Sequence, residues 1–280
     1  MTMAPATIVD GKKIAADIKE KLAAAVGEAG ATPSLAIILA RGDAGAASYT
    51  KSLARAGEGV GVGVVVHELE PEPEEAARAI AAANDDPAVH GIILQKPFAG
   101  RDADADLAEL ISVDKDVDGQ TSASLGLVWA GRPAFVPSTA AAALHILEAY
   151  GVDLVGADAT VVGRSAVVGK PVAALLVARH ATVTICHTRT RDLAAACRRA
   201  DVLIAAAGAA DLIKGDMVKP GAAVIDCGYN FAEDGKVVGD VAFEEAAEVA
   251  SLINRAQGGV GPVTTALLLA NVARAAGVAA

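Results

Sequence analysis

The segment VVGRSAVVGKP, Val161–Pro171, closes one apolar run and opens a helix-forming one. A loop in that position offers backbone N–H groups and the positive end of a helix dipole to an anion, above all a phosphate. It is not a Walker loop: five residues separate Gly163 from Gly169, and Pro171 stands where a magnesium-binding hydroxyl would be. Nor is it GxGxxG. By spacing alone a tight strand-to-helix turn is an equally good reading. Its context carries further, because a buried strand leading directly into a helix is the start of a strand–helix–strand unit and hence of a parallel sheet.

Outward from that loop the same alternation fills the chain. SLAIILA (34–40), VGVVVHEL (62–69), GIILQ (91–95), ATVVG (159–163), ATVTIC (181–186), DVLIAAA (201–207) and AAVIDC (222–227) read as buried parallel strands. Helices are expected over Asp10–Val26, Ala46–Val60, Pro73–Asn84, Thr139–Tyr150, Gly169–Arg179 and Arg191–Ala200, with a last one from Thr264 to about Ala275. The turn-rich stretch 112–139 separates two alternating blocks. The expected division is therefore 1–138, completed by a C-terminal helix over 264–280, and 139–263.

The strand after the phosphate loop narrows the cofactor. In NAD-binding folds this strand typically ends in an acidic residue that holds the ribose diol. Here TICHTRTR (184–191) ends in Thr188, Arg189 and Arg191 with no carboxylate. Together with Arg164 this composition suits a 2′-phosphate and predicts NADP, although any one of these arginines could belong to a solvated face.

The bulk numbers exclude several classes. The 280 residues are 53% hydrophobic, enough for a sizeable core, and no apolar run reaches the roughly 18–20 residues of a membrane span. The N-terminus lacks a signal-peptide core, so a cytoplasmic protein is expected. A net charge of −10 with no basic stripe argues against nucleic acid as a partner. Three cysteines without a CxxC pair, and five histidines without HxH or HExxH spacing, predict buried thiols and no metal.

At this point the chain resembles the bifunctional methylenetetrahydrofolate dehydrogenase/cyclohydrolase family. GRSAVVGKP (163–171) is similar to that family's cofactor loop, DKDVDG (114–119) to its substrate-site motif, GIILQKP (91–97) to its strand end, and GGVGPVT (258–264) to its glycine-rich turn; DGKVVGDV (234–241) has a counterpart too. The resemblance implies two α/β domains around a cleft, the C-terminal one Rossmann-like with a parallel sheet. It implies a folate substrate on the N-terminal domain, NADP on the C-terminal one, and a homodimer. Carried over by position, Tyr49, Gln95 and Asp118 are candidate catalytic residues; Lys96, which stands where the family usually has leucine, joins them because a strand-end lysine in a dry cleft could carry a proton, bind the folate's glutamate tail or simply reach solvent. Tyr49, Leu53, Gln95, Asp118, Gly259 and Pro262 would contact the substrate. Gly163, Arg164, Ser165, Gly169, Thr188, Arg189, Gly208 and Tyr229 would contact the cofactor. A carboxylate such as Asp118 suits the paired N–H donors of a pterin, because it accepts two parallel hydrogen bonds.

The family also carries Tyr-x-x-x-Lys on the first-domain helix, and SYTKSLARA (48–56) departs from it. Matching Tyr49 puts Leu53 in the lysine's place; shifting the register by two would use Lys51 but leave Ala47 for the tyrosine. Further departures gather at Arg255, Ala256, Gln257, Ala140, Tyr229 and Phe231. Hydride transfer to NADP chiefly needs proximity and orientation. Opening the resulting cation with water needs a positioned proton carrier, worth about 10²–10⁴-fold. Leucine cannot be that carrier, so the expectation is a dehydrogenase with the cyclohydrolase activity lost or weak. The alternatives are a bifunctional enzyme using Lys96 or Lys51, a folate- or nucleotide-binding paralogue without turnover, or a dehydrogenase for another one-carbon carrier.

Overall fold

Apolar runs become parallel strands and alanine-rich amphipathic runs become helices in the computed structural model, which describes residues 5–132, 134–232 and 234–279. Met1–Ala4, Pro133, Glu233 and Ala280, all inside the expected domain ranges, lie outside the described residues. The chain runs β1 (Thr7–Ile8), α1 (Gly11–Ala29), β2 (Ser34–Ala40), α2 (Ala44–Glu58), β3 (Gly63–Leu69), α3 (Pro73–Asp85), β4 (Gly91–Leu94), α4 (Arg101–Ala108) and α5 (Ser122–Trp129). It continues with α6 (Ser138–Ala149), β5 (Asp158–Val162), α7 (Gly169–Ala178), β6 (Thr182–Cys186), α8 (Leu193–Arg199), β7 (Val202–Ala205) and β8 (Ala223–Asp226). A hairpin of β9 (Asn230–Phe231) and β10 (Val237–Val238) precedes α9 (Phe243–Ala247), β11 (Leu252–Ile253) and α10 (Val260–Ala275).

Two units result. One comprises the chain up to Ala15 together with Thr139–Thr264; the other comprises Ala16–Ser138 with the chain from Thr265 onward. The first holds a parallel sheet in the order β1-β11-β8-β7-β5-β6. After β5 the chain passes to β6 on one side, then returns by α8 to β7 on the other. That reversal leaves a crevice at the carboxyl ends of β5 and β7, the place where doubly wound sheets bind ligands.

The N-terminal residues depart from the expected boundary. Rather than joining the block up to 138, Thr7 and Ile8 pair in parallel with Leu252 and Ile253. The Thr7 N–H donates to the Ser251 carbonyl at 2.8 Å and the Val9 N–H to Ile253 at 2.9 Å. A two-residue strand carries too short an apolar signal to be assigned from pattern.

The second unit is built on a parallel sheet in the order β3-β2-β4. β2 is buried on both faces: Leu35, Ile37 and Leu39 pack with Leu53, Ile93, Leu268, Leu269 and Val272, while Ala36 and Ile38 pack with Ile80, Ile92 and Leu94. Each of the leucine, isoleucine and valine side chains contributes about 1.5–3 kcal/mol by leaving water. β3 differs from the buried strand expected of it: as an edge strand it leaves Val65 48% and Val66 45% exposed.

Candidate active site

In the six-stranded unit the loop after β5 is shaped by contacts only glycine permits. Gly163 has φ 133°, and a Cβ there would lie 2.0 Å from the Ala206 carbonyl oxygen; a Cβ on Gly169 would lie 2.3 Å from the Gly163 carbonyl. The loops after β5 and β7 therefore touch backbone to backbone. The Ser165 hydroxyl accepts the N–H groups of Val168 at 3.1 Å and Gly169 at 3.4 Å, capping the entry to α7. Ser165 thus caps the helix end itself, at the N-terminus where the dipole favours an anion.

β6 lies beside β5, so its end carries Thr188 and Arg189 next to this loop, both exposed like Arg164. The turn is stiffened by His187, whose N–H donates to Thr190 Oγ1 at 2.8 Å and whose Nδ1 accepts the Arg189 N–H at 3.0 Å. Gly208, φ 66°, lies in the loop after β7. Tyr229 follows β8, 62% exposed and edge-on to Phe231 at 5.6 Å between ring centres. The parallel sheet thus gathers all eight candidate cofactor residues at the carboxyl ends of four adjacent strands. The residues fit NADP: a glycine-lined loop at a helix N-terminus, with Arg164 and Arg189 beside it and no carboxylate directly after β6.

In the three-stranded unit, Asp43 starts α2 by accepting the Ala46 N–H at 2.9 Å, which fixes the helix that carries Tyr49. Tyr49 keeps 38% of its surface open, but its hydroxyl end is desolvated. Burial first, then the Asp118 carboxylate, push the phenol well above its ordinary range, while a hydrogen bond to Thr265 pulls the other way. Asp118 Oδ1 accepts the Ser138 N–H at 3.1 Å, and Oδ2 accepts Gln120 Nε2 at 3.4 Å. Burial also pushes the Asp118 carboxyl up, against the pull of these donors.

The turn holding Asp118 rests on its neighbour. Asp116, wholly buried, accepts the N–H groups of Gln120 at 2.7 Å and Thr121 at 2.9 Å and the hydroxyls of Thr121 at 2.8 Å and Ser124 at 2.6 Å. Lys115 donates to the carbonyls of Ala83, Asn84 and Asp86, closing the end of α3. Gly119, φ 58°, allows close approach to Pro137. Gln95 continues from β4, its N–H on the Ile38 carbonyl at 2.8 Å, and Gln120 Nε2 reaches the adjacent Leu94 carbonyl at 3.3 Å. The sequence thus brings Tyr49, Asp118 and Gln95 into one unit. Lys96 follows on the exposed loop, and Lys51 is exposed on α2.

Leu53 does not behave as a substrate contact. It has no exposed surface and belongs to the core with Leu35, Ile37 and Leu39, so the expectation that it faces a site with Tyr49 is corrected. An apolar side chain one turn along α2 follows the core side of the helix, whereas Tyr49 keeps its polar end. Gly259 and Pro262 lie in the other unit at the start of α10, where a Cβ on Gly259 would be 2.4 Å from the Arg255 carbonyl.

Sequence reasoning passed over Asp116, Asp226 and Asp240, three buried carboxylates that organise these loops. Their sequence signals were slight: Asp116 lies inside the turn-rich 112–139 stretch, Asp226 at the end of an apolar run, and Asp240 beside Gly239. A cavity of about 310 Å³ lined by Thr7, Tyr150, Asp201 and Ser251 opens at the amino ends of the strands and contains none of the candidate residues. Among the described residues no helix is long and apolar enough to cross a membrane.

Comparison with known proteins gives two matching family descriptions. "Tetrahydrofolate dehydrogenase/cyclohydrolase, catalytic domain" matches residues 9–118, and the NAD(P)-binding domain of the same family matches residues 137–280. The "Bifunctional protein FolD" of Moorella thermoacetica is 46% identical over 277 residues, spanning 97% of this chain and 99% of that protein. The protein of the same name from Parafrankia is 47% identical over 273 residues, spanning 96% and 99%. Among solved structures, the bifunctional FolD of Campylobacter jejuni superposes with a TM-score of 0.93 at 39% identity, covering 97% of this chain and 98% of that one. The Trypanosoma brucei FolD, solved with NADP cofactor and an inhibitor, gives 0.93 at 31% identity and 98% coverage of both.

Proposed function

The chain belongs to the tetrahydrofolate dehydrogenase/cyclohydrolase family, and on that premise we propose that it oxidises 5,10-methylenetetrahydrofolate to 5,10-methenyltetrahydrofolate and then hydrolyses that cation to 10-formyltetrahydrofolate. The enzyme is an NADP-dependent dehydrogenase of two α/β units, the C-terminal one Rossmann-like. The observation that carries the site assignment is the buried Asp118 turn, braced by Asp116, Ser138 and Gln120 in the same unit as Tyr49 and Gln95, the unit that the catalytic-domain description matches.

NADP, when bound, accepts the hydride. The protein's part is orientation. Gly163, Ser165 and Gly169 would seat the pyrophosphate at the start of α7, and Arg164, Thr188 and Arg189 would hold the 2′-phosphate. Asp118 would accept the pterin's paired N–H groups, and Gln95 would border it. Tyr49, held neutral by burial and by Asp118, donates a hydrogen bond instead of acting as a base.

The second step favours a bifunctional enzyme because relatives at 43–47% identity over nearly the whole chain carry that name. In this reading Lys96, beside Gln95, supplies the proton transfer that Leu53 cannot. A dehydrogenase without the second activity is the competing reading, favoured by the complete burial of Leu53. One time course separates them: NADPH, methenyl- and formyltetrahydrofolate are followed after mixing enzyme, methylenetetrahydrofolate and NADP. Formyl product above the uncatalysed rate supports the bifunctional reading; methenyl product that decays only at the uncatalysed rate supports the other. We place a second copy of the chain on the open β3 edge as a homodimer, supported by the exposed Val65 and Val66. A cytoplasmic location accords with this substrate.

A further inference from the structure

The carboxyl end of β7 is tied down by a group that sequence reasoning left unassigned. Three consecutive backbone N–H groups converge on Asp240: those of Ala207 at 2.5 Å and Gly208 at 3.0 Å on Oδ2, and that of Ala209 at 2.9 Å on Oδ1. Oδ1 also accepts Asn230 Nδ2 at 2.9 Å. Asp240 is wholly buried, and four donors offset the desolvation of its charge. The one carboxylate therefore grips both the loop after β7 and the segment after β8 that carries Tyr229.

Beneath it lies a second carboxylate. Asp226, at the end of β8, accepts the N–H groups of Gly228 at 2.8 Å and of Asp240 itself at 3.1 Å on Oδ1, and that of Val241 at 2.9 Å on Oδ2. Glycine makes the stack fit. A Cβ on Gly239 would lie 1.8 Å from Asp226 Oδ2, and one on Gly228 would lie 2.4 Å from both the nitrogen and Oδ1 of Asp240. The loop so held is the one whose Ala206 carbonyl abuts Gly163, at the reversal point between β5 and β7.

We propose that Asp240, seated on Asp226, is a positioning residue for NADP: it fixes the 207–209 loop and the 228–231 segment as one pre-formed wall of the cofactor site. Three successive N–H groups in a turn form a nest that would otherwise attract an external anion. Here the protein's own carboxylate fills the nest. Those donors are consequently withheld from the cofactor's phosphates, which are left to the N-terminus of α7, and the β7 loop presents a rigid surface to the rest of the molecule. A wall already in place spares NADP the ordering entropy of two loops. The inference rests on the NADP-dependent reading of the site.

The test uses the full chain, with NADP binding measured by calorimetry and steady-state rates measured at saturating NADP. Asp240→Asn puts a donor where backbone donors point, and Asn230→Ala releases only the 228–231 segment. The dissociation constant for NADP is expected to rise about 10–100-fold in Asp240→Asn and about 3–10-fold in Asn230→Ala. In both, KM for methylenetetrahydrofolate should stay within about twofold, a split that general loosening of the fold would not produce. Unchanged NADP affinity in both variants, or a folate KM that rises in step with it, overturns the proposal. If Asp240→Asn does not fold, Asn230→Ala decides alone. A wild-type chain that fails to bind NADP overturns the functional reading as well, whereas normal wild-type binding with indifferent variants overturns only the role of Asp240.

Discussion

Asp118 and burial act on the Tyr49 phenol in the same direction: desolvation first, then the Asp118 carboxylate, raise it, and the hydrogen bond to Thr265 pulls the other way. Tyr49 is thereby a hydrogen-bond donor at every working pH. Dehydrogenase rates should show no tyrosine titration up to about pH 10, the ordinary phenol value. Tyr49→Phe should lower kcat/KM about tenfold, the loss of one buried hydrogen bond, without changing the shape of the pH profile. A profile that loses a basic limb in the variant would make Tyr49 a base instead.

Asp118 carries more. Removing a carboxylate that pairs with two donors should lower kcat/KM for methylenetetrahydrofolate about 10²-fold or more in Asp118→Asn. NADP affinity should stay within about twofold, because the candidate cofactor residues belong to the other unit. Calorimetry with NADP beside steady-state kinetics checks both halves.

The lysine question resolves into two substitutions. If Lys96 carries the proton in the second step, Lys96→Ala should cut formyltetrahydrofolate production about 10²–10⁴-fold while NADPH formation stays within about threefold. Undiminished hydrolysis would free Lys96 of the role. Restoring the family residue is not a neutral control. Leu53 is fully buried among Leu35, Ile37 and Leu39, so Leu53→Lys should lower stability by several kcal/mol, on the order of 3–5, read as a fall in the urea midpoint. A variant as stable as wild type would mean that α2 can rotate its lysine out of the core.

Much of this architecture was legible because it depends on short-range pattern. The apolar runs at 34–40, 91–95, 159–163 and 222–227 became β2, β4, β5 and β8 with ends displaced by a residue at most. The loop 161–171 could be placed because its glycines sit where strand meets helix. What stayed hidden depends on partners distant in sequence. β1 exists because Thr7 meets Leu252, and two residues hold no periodicity. β3 reads as apolar as β2, and only its place at the sheet edge leaves it open. Asp226 and Asp240 look like turn residues until the fold brings Ala207, Gly208 and Ala209 to them.

Asp226 should make stability depend on pH in an unusual direction. Burial raises its carboxyl from 3.8 to about 6, with the N–H groups of Val241, Asp240 and Gly228 pulling down and the charge of Asp240 adding to the rise. The folded chain then binds this proton more tightly than the unfolded chain does. Its contribution is complete below about pH 4 and is lost as pH rises to about 6, a change on the order of 3 kcal/mol. Asp226→Asn removes the titration. Between pH 4 and 7 the wild-type unfolding free energy should therefore fall by about that amount relative to the variant's. Parallel urea curves at the two pH values, with equal spacing between the proteins, would show that Asp226 does not titrate in this window.

The open edge of the three-stranded sheet should determine association. β3 presents a row of unpaired backbone groups flanked by Val65 and Val66, each nearly half exposed, and edge strands of this kind readily pair with another chain unless charge blocks them. The wild-type chain is expected to sediment as a dimer at micromolar concentration. Val65→Lys places a charge on the edge of each copy and should shift sedimentation to the monomer. β2 shields the core behind the strand, so the urea midpoint at low protein concentration should change little. A wild-type chain that sediments as a monomer removes the homodimer; a Val65→Lys dimer moves the contact to another surface.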